Sequence, residues 1–106
     1  MGIDGSLTAE IIRRIRTVAA PAKIILFGSA ATGVMTSDSD IDLLVVESEL
    51  VDATQESARL RGELRGLGYP FDVFVISSVW FEESKEVVGG IAYPAHKYGR
   101  VIYEAA

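Results

Sequence analysis

The chain has 106 residues, 49% hydrophobic and 24% charged, with no cysteine and a formal net charge of −5. That length supports one hydrophobic core rather than two, and the missing cysteines exclude disulfides and thiolate metal sites. With 15 acidic residues against 10 lysines and arginines, direct binding to nucleic acid is disfavoured, because neutralised phosphates supply most of that affinity.

Apolar runs such as Ile24-Ile25-Leu26-Phe27 fall far short of the roughly 18–20 residues that span a membrane. The opening Met1-Gly2-Ile3-Asp4-Gly5 carries neither the basic start nor the apolar stretch of a secretory signal. Together these predict a cytoplasmic protein forming a single domain over residues 1–106, with no membrane partner.

In chain order, Leu7, Ile11, Ile12, Ile15 and Val18 recur at helical spacing, which predicts a helix over 7–18 that Pro21 ends. Residues 22–27 form a buried strand. Gly28 to Gly33, short and rich in small residues, gives one helical turn, and Val34 to Ser39 a loop. Ile41 to Val46 is a second buried strand. Asp52 to Leu67 is the second long helix, with Leu60, Leu64 and Leu67 on one face and Gly68 as its stop. Phe71 to Ile76 is the third strand. Ser78 to Val88 is helical, anchored by Trp80, Phe81 and Val88 and interrupted by Gly89-Gly90. Ile91 to Gly99 is irregular or a short helix, and Arg100 to Tyr103 closes the chain as a strand. Alternation of this kind predicts an α/β (α+β) fold, a small mixed sheet of about four strands flanked by helices. The direction of the first two strands stays open, since about a dozen residues join them.

The chemistry concentrates around Asp40 and Asp42. Residues two apart on a strand face the same way, so the two carboxylates stand together at the end of a buried strand. Asp72 occupies the equivalent place in the third strand; if the two strands are neighbours, three aspartates converge. Close carboxylates repel unless cations neutralise them, and Mg²⁺ suits carboxylate and phosphate oxygens. The Gly28-Ser29 turn adds backbone N–H groups and a hydroxyl that can approach phosphate.

Other features read as structure. Asp38 is a loop residue, and His96 a surface or packing residue. Tyr69, Phe71, Trp80 and Phe81 are assigned to the core. The arginines of Arg13-Arg14-x-Arg16 and Arg59-x-Arg61…Arg65 lie on solvated helix faces.

The combination Gly28-Ser29-x-x-x-Gly33, then Ser37-Asp38-Ser39-Asp40-Ile41-Asp42-Leu43, then Asp72 resembles the nucleotidyltransferases of the DNA polymerase β superfamily. The short chain and the closing Gly99-Arg100-Val101-Ile102-Tyr103-Glu104 are similar to the minimal nucleotidyltransferase group. The resemblance implies a polymerase-β-type fold in which Gly28 and Ser29, with Gly33 closing the turn, bind the triphosphate of ATP. Asp40 and Asp42 would hold two Mg²⁺. Asp72 would join one metal and take the proton of the attacking hydroxyl, so that AMP is transferred and pyrophosphate leaves.

In the minimal group the resemblance further implies pairing with a small helical HEPN-domain protein. The nucleotidyltransferase is then an antitoxin that adds AMP to a tyrosine of its toxin. One departure stands out: relatives commonly carry arginine before the second glycine, where this chain has Ala30, Ala31 and Thr32. Lys85 or a partner would have to supply that charge. The alternative reading is a non-catalytic nucleotide-binding antitoxin that neutralises its partner by occlusion. Nucleotide addition to RNA ends is a third reading, disfavoured by charge and size.

Overall fold

The computed structural model describes residues 5–32 and 40–106. The predicted loop of Val34 to Ser39, Asp38 within it, and Gly33 before it lie outside the described residues. In chain order the elements are α1 (Gly5–Val18), β1 (Lys23–Phe27), the single turn α2 (Ser29–Thr32), β2 (Ile41–Glu47) and α3 (Ala53–Glu63). There follow β3 (Phe71–Ser77), α4 (Ser78–Ser84), α5 (Ala92–Tyr98) and β4 (Arg100–Glu104).

The four strands form one mixed sheet in the order β3-β2-β1-β4. β1 runs antiparallel to both β2 and β4, and β2 runs parallel to β3. The dozen or so residues between β1 and β2 thus serve a reversal. The longer stretch carrying α3 makes the crossover that parallel pairing demands.

Strand periodicity divides the core in two. Ile41, Leu43, Val45, Phe71 and Val73 point to one face, where Ile11 and Ile15 of α1 and Leu60 and Leu64 cover them. Ile25, Leu44, Val46 and Ile76 point to the other, against Phe81 of α4 and Ala92 and Ala95 of α5. β2 is central and reads as a near-continuous apolar run because both of its faces are packed.

Two arginines assigned to solvated faces do structural work. Arg14 donates to the carbonyls of Glu63 and Arg65, at 3.3 and 2.7 Å, at the end of α3. Arg59 of α3 donates to the carbonyl of Val18 at 2.6 Å, at the end of α1. Each helix thereby satisfies terminal carbonyls of the other.

Several predicted bounds change for identifiable reasons. α3 stops at Glu63, short of Leu67, because Gly66 and Gly68 adopt φ of +87° and +90°. α4 ends at Ser84, so Val88 is exposed rather than an anchor. Ile91 to Gly99 resolves as the helix α5. Phe71 and Phe81 are core as expected, but Trp80 is 60% exposed and Tyr69 40%. Trp80 follows the cap residue Ser77 on a short helix whose inner side is taken by Phe81. Tyr69 lies in the turn before β3. No described helix is long and apolar enough to cross a membrane.

Glu47, at the C-terminal end of β2, is a buried carboxylate, and its Oε2 has no hydrogen-bond partner. Burial first, then its hydrogen bond to and repulsion by Glu56, push it up to about 7, against the pull of Arg59. In Glu56 burial acts upward too, but the hydrogen bonds with Glu47 and Arg59 outweigh it and hold that carboxyl below its ordinary value. A folded pKa above the unfolded one means the folded chain keeps a proton that the unfolded chain releases. Stability therefore falls as pH rises from about 4.5 to about 7, and the cost is complete above that window. Glu56 acts in the opposite sense only below its own unfolded pKa. Glu47→Gln is expected to flatten the profile and to stabilise the protein by roughly 1–3 kcal/mol at pH 8. Urea melts of both forms at pH 5 and pH 8 check this, and parallel profiles would contradict it.

Candidate active site

The parallel register of β2 and β3 sets Asp42 directly beside Asp72, and the antiparallel register sets Phe27 of β1 on the other side of Asp42. Period-two alternation places Asp42 with Leu44 and Val46, and Asp72 with Ile76, on the α4–α5 face of the sheet. Helices α4 and α5 cover the far part of that face. The aspartates stand at its near end, where Asp40 immediately precedes β2 and is exposed.

The three carboxylates interact as repulsion predicts. Asp40 is held above its ordinary value by a hydrogen bond to Asp72, then by burial and by the charge of Asp72. Asp42 is raised by burial first, then by the charges of Asp72 and Asp40. Carboxylates whose ionisation their neighbours oppose attract positive charge. This property fits the three side chains to a divalent cation, which neutralises more charge than one proton. Among the described residues, however, no three Asp, Glu, His or Cys side chains already converge as a metal-ligand set.

Gly28 is the neighbour that locks the geometry. It ends β1 with φ +70°, a left-handed conformation that side chains disfavour. A Cβ built there would overlap Asp42 Oδ2 and come within 3.2 Å of Asp42 Cγ. The turn that follows is closed by the Ala31 N–H donating to the Gly28 carbonyl at 3.2 Å. Ser29, half-buried, opens α2 beside the carboxylates. Gly28, Ser29, Asp40, Asp42 and Asp72 are therefore brought to one end of the sheet; Gly33 lies outside the described residues.

Lys85 does not belong to this group. α4 leaves the C-terminal end of β3, whereas the aspartates stand at the N-terminal ends of β2 and β3. Lys85 Nζ is paired with Glu82 at 2.8 Å. A cavity of about 370 Å³ lined by Lys23, Val46, Ser78, Phe81 and Glu82 also lies at that opposite end. His96 is exposed and sits edge-on to Phe81, ring centroids 6.2 Å apart, which is the packing role expected of it.

The sequence reading missed an aromatic pair beside the carboxylates. Phe27 and Phe74 approach to 5.9 Å between ring centroids across β2, on the same face as Asp42 and Asp72. The alternation that pairs Asp72 with position 74 was the available signal.

No curated protein matches this chain. Among solved structures it is similar to a mutant MntA–HpeT toxin–antitoxin, with a TM-score of 0.68 and 19% identity over 92% of this chain and 73% of that one. It is similar to a toxin–antitoxin with AMP-PNP at a TM-score of 0.62 and 20% identity, over 92% and 73% of the two chains. A third likeness is to the Shewanella oneidensis complex of a tri-AMPylated HEPN toxin with an MNT antitoxin. There the TM-score is 0.60 and the identity 18%, over 94% and 71%. These likenesses establish the polymerase-β-type fold. The model of the nucleotidyltransferase domain matches residues 8–94, most of the chain, and the chain belongs to that family.

Proposed function

We propose that this chain transfers AMP from ATP to a tyrosine hydroxyl of a HEPN-type toxin, acting as its antitoxin from a single cytoplasmic domain. The observation that carries the reading is the register that sets Asp42 beside Asp72, with Asp40 just before β2 and the Gly28 turn packed against Asp42. The structural neighbours support it: they are toxin–antitoxin assemblies, one with AMP-PNP and one with an AMPylated toxin.

In this reading Gly28 and Ser29 hold the triphosphate, the glycine letting backbone and phosphate approach without a side chain between them. Asp40 and Asp42, with Asp72, would hold two Mg²⁺. When bound, these ions polarise the α-phosphate and stabilise charge on the attacking and leaving oxygens. Asp72 accepts the proton of the tyrosine hydroxyl on a carboxylate oxygen. The hydroxyl oxygen then bonds to the α-phosphorus as the bond to the bridging oxygen breaks, and pyrophosphate departs.

A second reading rests on Ala30, Ala31 and Thr32, where relatives commonly carry arginine, and on Lys85 being paired far from the aspartates. It makes the chain a nucleotide-binding antitoxin that neutralises its partner by occlusion. Labelling with α-phosphate-labelled ATP and Mg²⁺ in a lysate of the source cell separates the two. A labelled protein band with the unsubstituted chain, absent with Asp40→Asn/Asp42→Asn, is the expected outcome. No label, with the partner retained by both forms, favours occlusion.

A further inference from the structure

The order of strands across the site sets a direction. The Gly28 turn stands on β1, Asp42 on central β2 and Asp72 on edge strand β3. If the cradle takes the triphosphate and Asp72 the acceptor's proton, the acceptor approaches from the β3 side. Phe74 stands on that side. It is two residues beyond Asp72 on the same strand and same face, and it lies in register with Leu44 of β2. Its ring leans on Phe27 at a tilt of 50°, which fixes its position from beneath, while 38% of the residue stays exposed.

Phe74 packs one side of its ring on Phe27 and keeps the rest toward solvent at the sheet edge. Its neighbours in parity along β3, Asp72 and Ile76, are explained by the carboxylate cluster and by the core. Helices α4 and α5 pack with Leu44, Val46 and Ile76 on this face, and Phe74, in register with buried Leu44, stays 38% exposed at the sheet edge. What Phe74 offers is an anchored aromatic surface within one side-chain spacing of Asp72. Aromatic rings pack on such surfaces in tilted or offset geometry.

We propose that Phe74, supported by Phe27, is a positioning residue that receives the aromatic ring of the acceptor tyrosine and so presents its hydroxyl to Asp72. The inference rests on the proposed function. It adds the element of the site that selects a phenolic hydroxyl over the smaller hydroxyls of serine and threonine. A ring held at this distance places its oxygen at the far end of a rigid side chain, which a serine on the same backbone cannot reach. The ring-on-ring packing is present before and during transfer alike, so its loss appears mainly as a raised KM for the acceptor.

The test is transfer kinetics with α-phosphate-labelled ATP, Mg²⁺ and the purified partner protein that the lysate labelling identifies. Phe74→Ala is expected to raise the KM for that acceptor about three- to tenfold with the KM for ATP unchanged. Phe74→Tyr restores the acceptor KM, whereas Phe74→Leu, which keeps apolar bulk and protects against a folding artefact, does not. An unchanged acceptor KM in both the Ala and Leu variants overturns the inference. A rise confined to the KM for ATP does so too, placing the nucleotide base on the ring. Label found on serine or threonine overturns it while leaving nucleotide transfer intact. No transfer by the unsubstituted chain overturns the proposed function and this inference with it.

Discussion

Asp42→Asn is expected to lower AMP transfer by at least two to three orders of magnitude, the usual scale for removing a central electrostatic element of a phosphoryl-transfer site. The fold is expected to survive. Asp42 is flanked in register by Asp72 and Phe27, its carboxyl is raised by burial and then by Asp72 and Asp40, and an amide of the same shape relieves that repulsion. The sign follows from the raised value. A carboxylate that resists ionisation in the folded chain weakens folding as pH rises past its unfolded pKa, so asparagine stabilises at neutral pH or leaves stability unchanged. Thermal melting and transfer rates measured on the same preparation separate the two effects. Lost activity with a lower melting temperature would mean that Asp42 is structural.

Gly28→Ala is expected to harm both stability and transfer. The left-handed backbone at φ +70° and the overlap of a Cβ with Asp42 Oδ2 act together. Strain and overpacking of this kind cost roughly 1–3 kcal/mol, and relief by moving Asp42 would misplace a carboxylate on which transfer depends. The overlap is specific to one pair, so the two positions must couple. In a Gly28→Ala/Asp42→Ala double variant the stability loss should be smaller than the sum of the single losses. Additive losses in urea melts would show that the alanine is accommodated elsewhere. Even then the left-handed backbone would leave a residual cost.

The candidate site residues were legible in the sequence because they break local patterns. Asp42 and Asp72 interrupt apolar strands, and Gly28-Ser29 forms a turn after the apolar run Ile24-Ile25-Leu26-Phe27. The mixed sheet was legible from the alternation of strand and helix signals. Pairing was not. Nothing local to Ile24-Ile25-Leu26-Phe27 states that it lies antiparallel to two neighbours, and only the register of β2 with β3 sets Asp42 beside Asp72.

Exposure was also hard to read where elements are short. Trp80 has the composition of a core residue, but one helix of seven residues buries one inner side, and Phe81 fills it. The arginines illustrate the same point. Helical spacing puts Arg14 and Arg59 on outer faces, while tertiary packing brings each to the last carbonyls of the other helix. Glu47 falls just beyond the predicted strand of Ile41 to Val46, and only the arrival of Glu56 on α3 turns it into a proton-holding pair.

The central claim is that the carboxylate cluster and the Gly28 turn move the α-phosphorus of a nucleotide onto a hydroxyl. The most direct measurement supplies the chain and its partner, with Mg²⁺, either α-labelled or γ-labelled ATP. The account predicts label on the partner from the α-phosphate alone, with the γ-label recovered as pyrophosphate. Label on the partner from the γ-phosphate, or none from either while the partner is still neutralised, would contradict it.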